Sequence, residues 1–282
     1  MTKVLLLTDF SENATQAIKY AFKLWSGQAC KFYLLNVQKT SEFTTDDLIT
    51  AKPHESIFAS IIADNKAQLA SYVEMLRPLI EGQQFQLSEK VDYDVFTDSV
   101  NQVVKANDID YVVLGTNGAT GAAEAIFGSN TMQLIRNVKC PTIVVPEGFE
   151  FRPLEEVLYS QTEKFTPEPE ELTPVIDLLE GRNSYLHLLA IHTPGANDLE
   201  GLKSTLNEMA NNGLFKDIRT EVETLEDLAV PQAVDAYQQL HKVDLHVFLV
   251  QSESFLKRFL FGTDAGQVSM KTRVPLLVLH HK

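Results

Sequence analysis

Residues Ile109 to Pro146, IDYVVLGTNGATGAAEAIFGSNTMQLIRNVKCPTIVVP, hold the pattern that decides the fold. Tyr111-Val112-Val113-Leu114 is a continuous apolar run, as expected of a strand buried on both faces of a parallel sheet. Gly115 and Gly118 follow at once, and nine residues later Gly128-Ser129 opens a helical stretch to about Asn137. Thr142-Ile143-Val144-Val145 is the next strand. Strand, glycine-rich turn, helix and strand in this order form one step of a doubly wound α/β sheet.

The same 38-residue stretch recurs. Ile109 to Pro146 aligns without a gap on Val243 to His280, VDLHVFLVQSESFLKRFLFGTDAGQVSMKTRVPLLVLH, at an offset of 134 residues. Asp110 matches Asp244, Phe127-Gly128 matches Phe261-Gly262, Ser129 matches Thr263, and Pro141 matches Pro275. Upstream, Val4-Leu5 resembles Val157-Leu158, and Leu34-Leu35-Asn36-Val37 resembles Leu188-Leu189-Ala190-Ile191. Two copies of one domain account for the 282 residues. The boundaries expected are 1–147 and 153–282, with the join near Glu147 to Pro153.

Working back from the opening stretch, Val4-Leu5-Leu6-Leu7 reads as strand one and ends at Thr8-Asp9. Ser11 can cap the following helix, whose apolar positions Ala14, Ala17, Ile18, Ala21, Phe22 and Trp25 recur at helical spacing. Phe32 to Val37 reads as strand two. Phe58, Ile61, Ile62, Leu69, Tyr72, Val73 and Leu76 mark a long amphipathic helix, followed by a strand over Phe85 to Tyr93 and a short helix over Ser99 to Ala106. Each copy is therefore expected to be a five-stranded parallel sheet with helices on both faces.

Lys and Arg total 24 against 38 Asp and Glu, a net charge of −14 that repels nucleic acid and anionic membranes. No apolar run reaches the length needed to span a bilayer, and Met1-Thr2-Lys3 leads directly into a strand. A cytoplasmic location is expected. Cys30 and Cys140 are the only cysteines, with no CxxC pair, so each is expected to pack as a small apolar residue.

The chemistry-bearing positions all fall where strands end. Glycine has no Cβ, so Gly115 and Gly118 let main-chain N–H groups approach an anion. Gly128-Ser129 adds a helix N-terminus and a hydroxyl, also suited to phosphate. Asp9, ending strand one, would repel phosphates and suits the base or ribose end of a nucleotide. Val37, ending strand two, can offer main-chain groups to a base. Neither GxxxxGK[ST] nor GxGxxG occurs, so this is a different phosphate loop.

The spacing Gly115-x2-Gly118-x9-Gly128-Ser129 resembles the motif of nucleotide-binding universal stress proteins. Thr8-Asp9-Phe10-Ser11, Leu34 to Val37 (with Asn36 where the family has His) and Lys139-Cys140-Pro141 resemble further family signatures. The resemblance implies strand order 3-2-1-4-5, ATP bound with a divalent ion such as Mg, and pairing through strand five. It carries Asp9 and Val37 to adenine, and Gly115, Gly118, Gly128 and Ser129 to ribose and phosphates. Thr142 to Val145 and Leu276 to Leu279 would then pair within one chain as a pseudo-dimer; pairing of whole chains stays open.

The first copy departs from the family in its spacer, Ala119 to Phe127, which has no Lys or Arg and includes Glu124. AMP or ADP therefore stands beside ATP as ligand. In the second copy Gly115 becomes Leu249, Gly118 becomes Ser252, and Thr162 or Glu163 replaces Asp9. Nucleotide is expected in the first copy only, and Lys257 and Arg258 are read as a solvated patch.

Thr40 to His54 is a lid or a plain connection. His187, His192, His241, His246, His280 and His281 lack metal-ligand spacing, and no GxSxG or HExxH occurs. The reading is a nucleotide-binding regulatory protein with an unidentified protein partner. The alternatives are a nucleotide-independent scaffold and, ranked last, a slow ATP hydrolase.

Overall fold

A computed structural model describes residues 1–38, 57–116, 127–195, 198–252, 256 and 273–281, with side chains from residue 62 onward in the second stretch. The first half runs β1 (Thr2–Leu7), α1 (Glu12–Leu24), β2 (Cys30–Val37), α2 (Ile57–Leu76), β3 (Phe85–Asp92), α3 (Phe96–Asn107), β4 (Tyr111–Gly115), α4 (Ser129–Asn137) and β5 (Thr142–Val145). The second half runs β6 (Glu156–Gln161), α5 (Pro169–Leu179), β7 (Tyr185–His192), α6 (Leu199–Asn211), β8 (Arg219–Glu226), α7 (Val230–Leu240), β9 (Leu245–Val250) and β10 (Leu276–His280). The helix read over Ser99 to Ala106 is longer at both ends.

The ten strands of the described residues join in a single sheet, ordered β3-β2-β1-β4-β5-β10-β9-β6-β7-β8. Strands are parallel within each half, and the halves meet antiparallel, with Leu276 opposite Val144, Leu277 opposite Ile143 and Val278 opposite Thr142. Because the meeting strands run in opposite directions, the carboxyl ends of β1 and β4 lie on one edge of the sheet and those of β6 and β9 on the other.

Both faces of the sheet are covered, which explains the unbroken apolar runs. In β1, Val4 and Leu6 face a core shared with α1, α2, α5 and α6. Leu5 and Leu7 face the other, shared with α3, α4 and α7. Ser11 caps α1 by accepting the Ala14 N–H at 3.1 Å. Glu168 and Glu171 form a reciprocal capping box on α5, with Pro169 in its first turn where no N–H is needed. Cys30 and Cys140 are buried, and burial pushes both thiols up to about 12.

The repeated aspartates have a structural reason. Asp110 Oδ2 accepts the Lys3 N–H at 2.8 Å, and Asp244 Oδ2 accepts the N–H groups of Glu155 and Glu156 at 3.0 Å each. Each carboxylate thus satisfies backbone at the start of its half's first strand. The join is packed as well. Tyr20 lies edge-on between Phe149 and Phe151, and the Gln16 amide donates to the Phe149 carbonyl while accepting the Gly148 N–H. Across the halves, Tyr111 Oη donates to the Pro174 carbonyl at 2.7 Å, Arg182 to the Leu24 carbonyl and His280 Nε2 to the Ile135 carbonyl, each at 2.6 Å.

His246 occupies the place that Val112 holds in the first half and is 0 % exposed, with Nε2 2.8 Å from Ser160 Oγ. Burial lowers its pKa from 6.5 to about 3. A folded value below the unfolded one means that the unfolded chain binds the extra proton first, so stability is complete above about pH 6.5 and falls as pH drops toward 3. The expected loss is about 1.4 kcal/mol per pH unit from this residue. Urea midpoints at pH 7 and pH 5 should show a smaller acid-induced drop for His246→Val than for the native chain.

Candidate functional site

Val37 and Gly115 end β2 and β4, and Asp9 lies two residues past the end of β1 between them, on the edge of the sheet where strand order switches from β1 to β4. Such a switch point leaves a crevice beyond the strand ends, since the helices following β1 and β4 depart to opposite faces. Gly128 and Ser129 reach the same edge at the start of α4: the Gly128 N–H donates to the Thr116 carbonyl at 2.9 Å, and Thr131 Oγ1 donates to the carbonyls of Gly115 and Thr116. Gly118 lies outside the described residues, as do Thr40 to His54, Lys257 and Arg258.

The turn after β1 is fixed by its own side chains. Thr8 Oγ1 accepts the Phe10 N–H and Asp9 Oδ1 accepts the Ser11 N–H, both at 3.0 Å. Asp9 is exposed, and its Oδ2 has no hydrogen-bond partner among the described residues. Beneath it, the Asn36 amide donates to the Thr8 carbonyl at 2.8 Å and accepts from Gln38 Nε2 at 2.7 Å.

Val37 gains meaning from strand alternation. Successive residues of a strand in a parallel sheet direct their N–H and C=O pair to alternate neighbours. The Leu35 carbonyl accepts from Thr8 on the β1 side, whereas the Gln38 N–H donates to Asp92 on the β3 side. The N–H and C=O of Val37 therefore point to the β1 side, past Leu7, the last residue of β1. A donor and an acceptor face the crevice together beside Asp9.

Gly115 is required by packing. A Cβ there would stand 2.7 Å from Asn13 Nδ2 and 2.8 Å from its Cγ, and Asn13 is itself buried. Gly128 has φ −61° and ψ 162°, extended backbone open to any residue, so its value lies in the helix start. The first-turn N–H groups that follow it have no intrahelical acceptor.

The second half carries different residues at the equivalent positions. Strand register sets Leu249 at the Gly115 position, 2 % exposed, and Thr162 at the Asp9 position. Gln161 replaces Thr8 and turns its amide onto the carbonyls of Glu163 and Phe165 at 2.8 and 2.7 Å. The histidines disperse, except that His187 and His241 approach to 5.4 Å. His187 Nε2 lies 2.6 Å from Glu156 Oε2 and Nδ1 2.9 Å from Tyr237 Oη, at the opposite end of the strands. No group of three metal-ligating side chains occurs among the described residues.

The profile of the universal stress protein family matches residues 1–146, slightly more than half of the chain. The chain belongs to the universal stress protein family. A universal stress protein of Synechocystis sp. is 26% identical over 179 residues, covering 60% of this chain and 58% of its own length, so less than two thirds of that relative is spanned. One from Methanocaldococcus jannaschii is 23% identical over 151 residues, 51% of this chain and 93% of that protein. The crystal structure of a universal stress protein from Archaeoglobus fulgidus superposes with a TM-score of 0.73 at 14% identity, covering 99% of this chain and 98% of that one. That likeness shows the α/β fold. Among the described residues of this universal stress protein, no helix is long and apolar enough to cross a membrane.

Sequence reasoning missed Asn13, Thr131 and Tyr72 at this edge. Asn13 reads as a polar first-turn residue, and only its contact with Gly115 reveals it as a core group. Gly115→Ala should displace the Asn13 amide and destabilise the protein by about 1–3 kcal/mol, the usual cost of overpacking. Asn13→Ala in the same background should recover part of that loss, measured as the urea midpoint.

Proposed function

We propose that this universal stress protein binds one adenine nucleotide per chain, at the edge formed by β1, β2 and β4, and acts as a regulatory protein without appreciable catalysis. The observation that carries this reading is the pairing of the Val37 donor and acceptor with the free oxygen of Asp9 across a switch-point crevice. An adenine edge offers an amine and a ring nitrogen, which suit an acceptor and a donor. The N–H groups at the start of α4 suit phosphate. In this reading residues 1–147 are the nucleotide-binding domain and residues 153–282 a diverged copy, in which Leu249 stands in place of Gly115 and Gln161 in place of Thr8.

Gly118 enters on sequence spacing alone. A magnesium ion accompanying ATP would be carried chiefly by the phosphates, since the described residues offer no three-ligand cluster. No described residue at the edge is arranged as a general base for hydrolysis: Asp9 Oδ1 is engaged by the Ser11 N–H, and Ser129 is an exposed first-turn residue.

Calorimetric titration with ATP, ADP and AMP should give a stoichiometry of one, and excess ligand at about 100 times Kd should stabilise the fold by about 2.7 kcal/mol. Asp9→Asn should weaken binding, and Gly118→Val should abolish it. A stoichiometry of two overturns the one-site assignment. No binding and no thermal shift with ATP and magnesium would instead favour a nucleotide-independent scaffold.

A further inference from the structure

Phe10 holds a backbone conformation that costs an aromatic residue. Its φ is 64°, and the only other non-glycine residues with positive φ among those described are Asp108 and Asp227. Aspartate tolerates this region through local hydrogen bonds, whereas a bulky side chain enters it only when its surroundings compel it. The corresponding turn of the second half, residues 162–165, has no positive φ and is held from inside by the Gln161 amide. The strained turn therefore occurs in the half that carries Asp9.

The constraint comes from α2. The Tyr72 ring meets Phe10 edge-on at a centroid distance of 5.3 Å and 81°. Tyr72 Oη lies 2.6 Å from Thr15 Oγ1, and the Thr15 hydroxyl donates to the Ser11 carbonyl at 2.9 Å. Since the Thr15 proton is committed to Ser11, the proton between the two hydroxyls belongs to Tyr72. Burial raises the Tyr72 pKa, so the phenol keeps that proton. One side chain thus contacts Phe10 directly and reaches the Ser11 carbonyl through Thr15: it grips the turn immediately after Asp9.

We propose that Tyr72 is a positioning residue that holds the Thr8–Ser11 turn in its left-handed form and thereby aims the free oxygen of Asp9 at the base, making Tyr72 a determinant of base selectivity. The proposal rests on the nucleotide reading above. Adenine carries an exocyclic amine where guanine carries a carbonyl, so a correctly aimed carboxylate accepts from the first and repels the second. An Asp9 freed to swing loses that discrimination without losing its charge.

The experiment compares the native chain, Tyr72→Phe, Thr15→Val, Asp9→Asn and the double variant Asp9→Asn with Tyr72→Phe. In nucleotide-free protein, amide exchange at Phe10 and Ser11 should quicken about 3- to 10-fold in Tyr72→Phe, the worth of one neutral hydrogen bond. Thr15→Val, which removes the same bond from the other side, should reproduce it. ATP affinity should fall by a similar factor while GTP affinity changes less, so the preference for ATP shrinks. The double variant should show no greater loss of preference than Asp9→Asn alone, because both act through one carboxylate.

Losses of preference that add in the double variant overturn the positioning role, as do unchanged exchange rates. Native protein that binds nucleotide with a preference untouched by Tyr72→Phe and Thr15→Val overturns the role of Tyr72 alone. Native protein that binds neither ATP nor GTP overturns the nucleotide reading and the selectivity role with it.

Discussion

The antiparallel seam between β5 and β10 is the contact on which the rest of the molecule depends. Each half alone would end in a short, mostly apolar strand with one row of backbone groups unpaired, an edge prone to association. Pairing the two edges satisfies those groups and merges two five-stranded sheets into one, and because the strands run in opposite directions it turns the two sets of strand ends away from each other. The crevices of the two halves cannot share a ligand. The seam has three residue pairs, but Tyr111, Arg182 and His280 each add a side-chain bond to a carbonyl of the opposite half.

His280 ties this seam to the crevice. It follows Leu279 at the end of β10 and donates to the last-turn Ile135 carbonyl of α4, the helix whose first residue is Ser129. Burial lowers the His280 pKa despite that hydrogen bond, which keeps the ring neutral and its single donor directed at α4. Helix α1, which begins with Ser11 and Asn13 at the crevice, is gripped in the same way by Phe149, Phe151 and Arg182. The join and the second half thus brace both helices that flank the crevice.

Much of this was legible in the chain because it depends on local pattern. Period-free apolar runs announced strands covered on both faces, Ser11 announced the start of α1, and the ungapped repeat at an offset of 134 set β9 and β10 in the register of β4 and β5. Less was legible where a residue answers to a distant partner. Gly115 reads as an anion-binding glycine, yet its missing Cβ makes room for Asn13, about a hundred positions earlier. The two aspartates read only as a repeat signature, although each serves backbone N–H groups of another strand.

The α/β class, the repeat and the strands that bring Val37 and Gly115 to one edge are legible along the chain alone, because burial periodicity and chain order are written along one dimension. Tertiary structure set the antiparallel register of the seam expected between the fifth strands, turned both polar main-chain groups of Val37 to the β1 side beside Asp9, and brought Tyr72 against the turn that follows Asp9. Those outcomes depend on which backbone groups remain after strands pair and on side chains meeting across more than fifty residues, and neither is fixed until the sheet has closed.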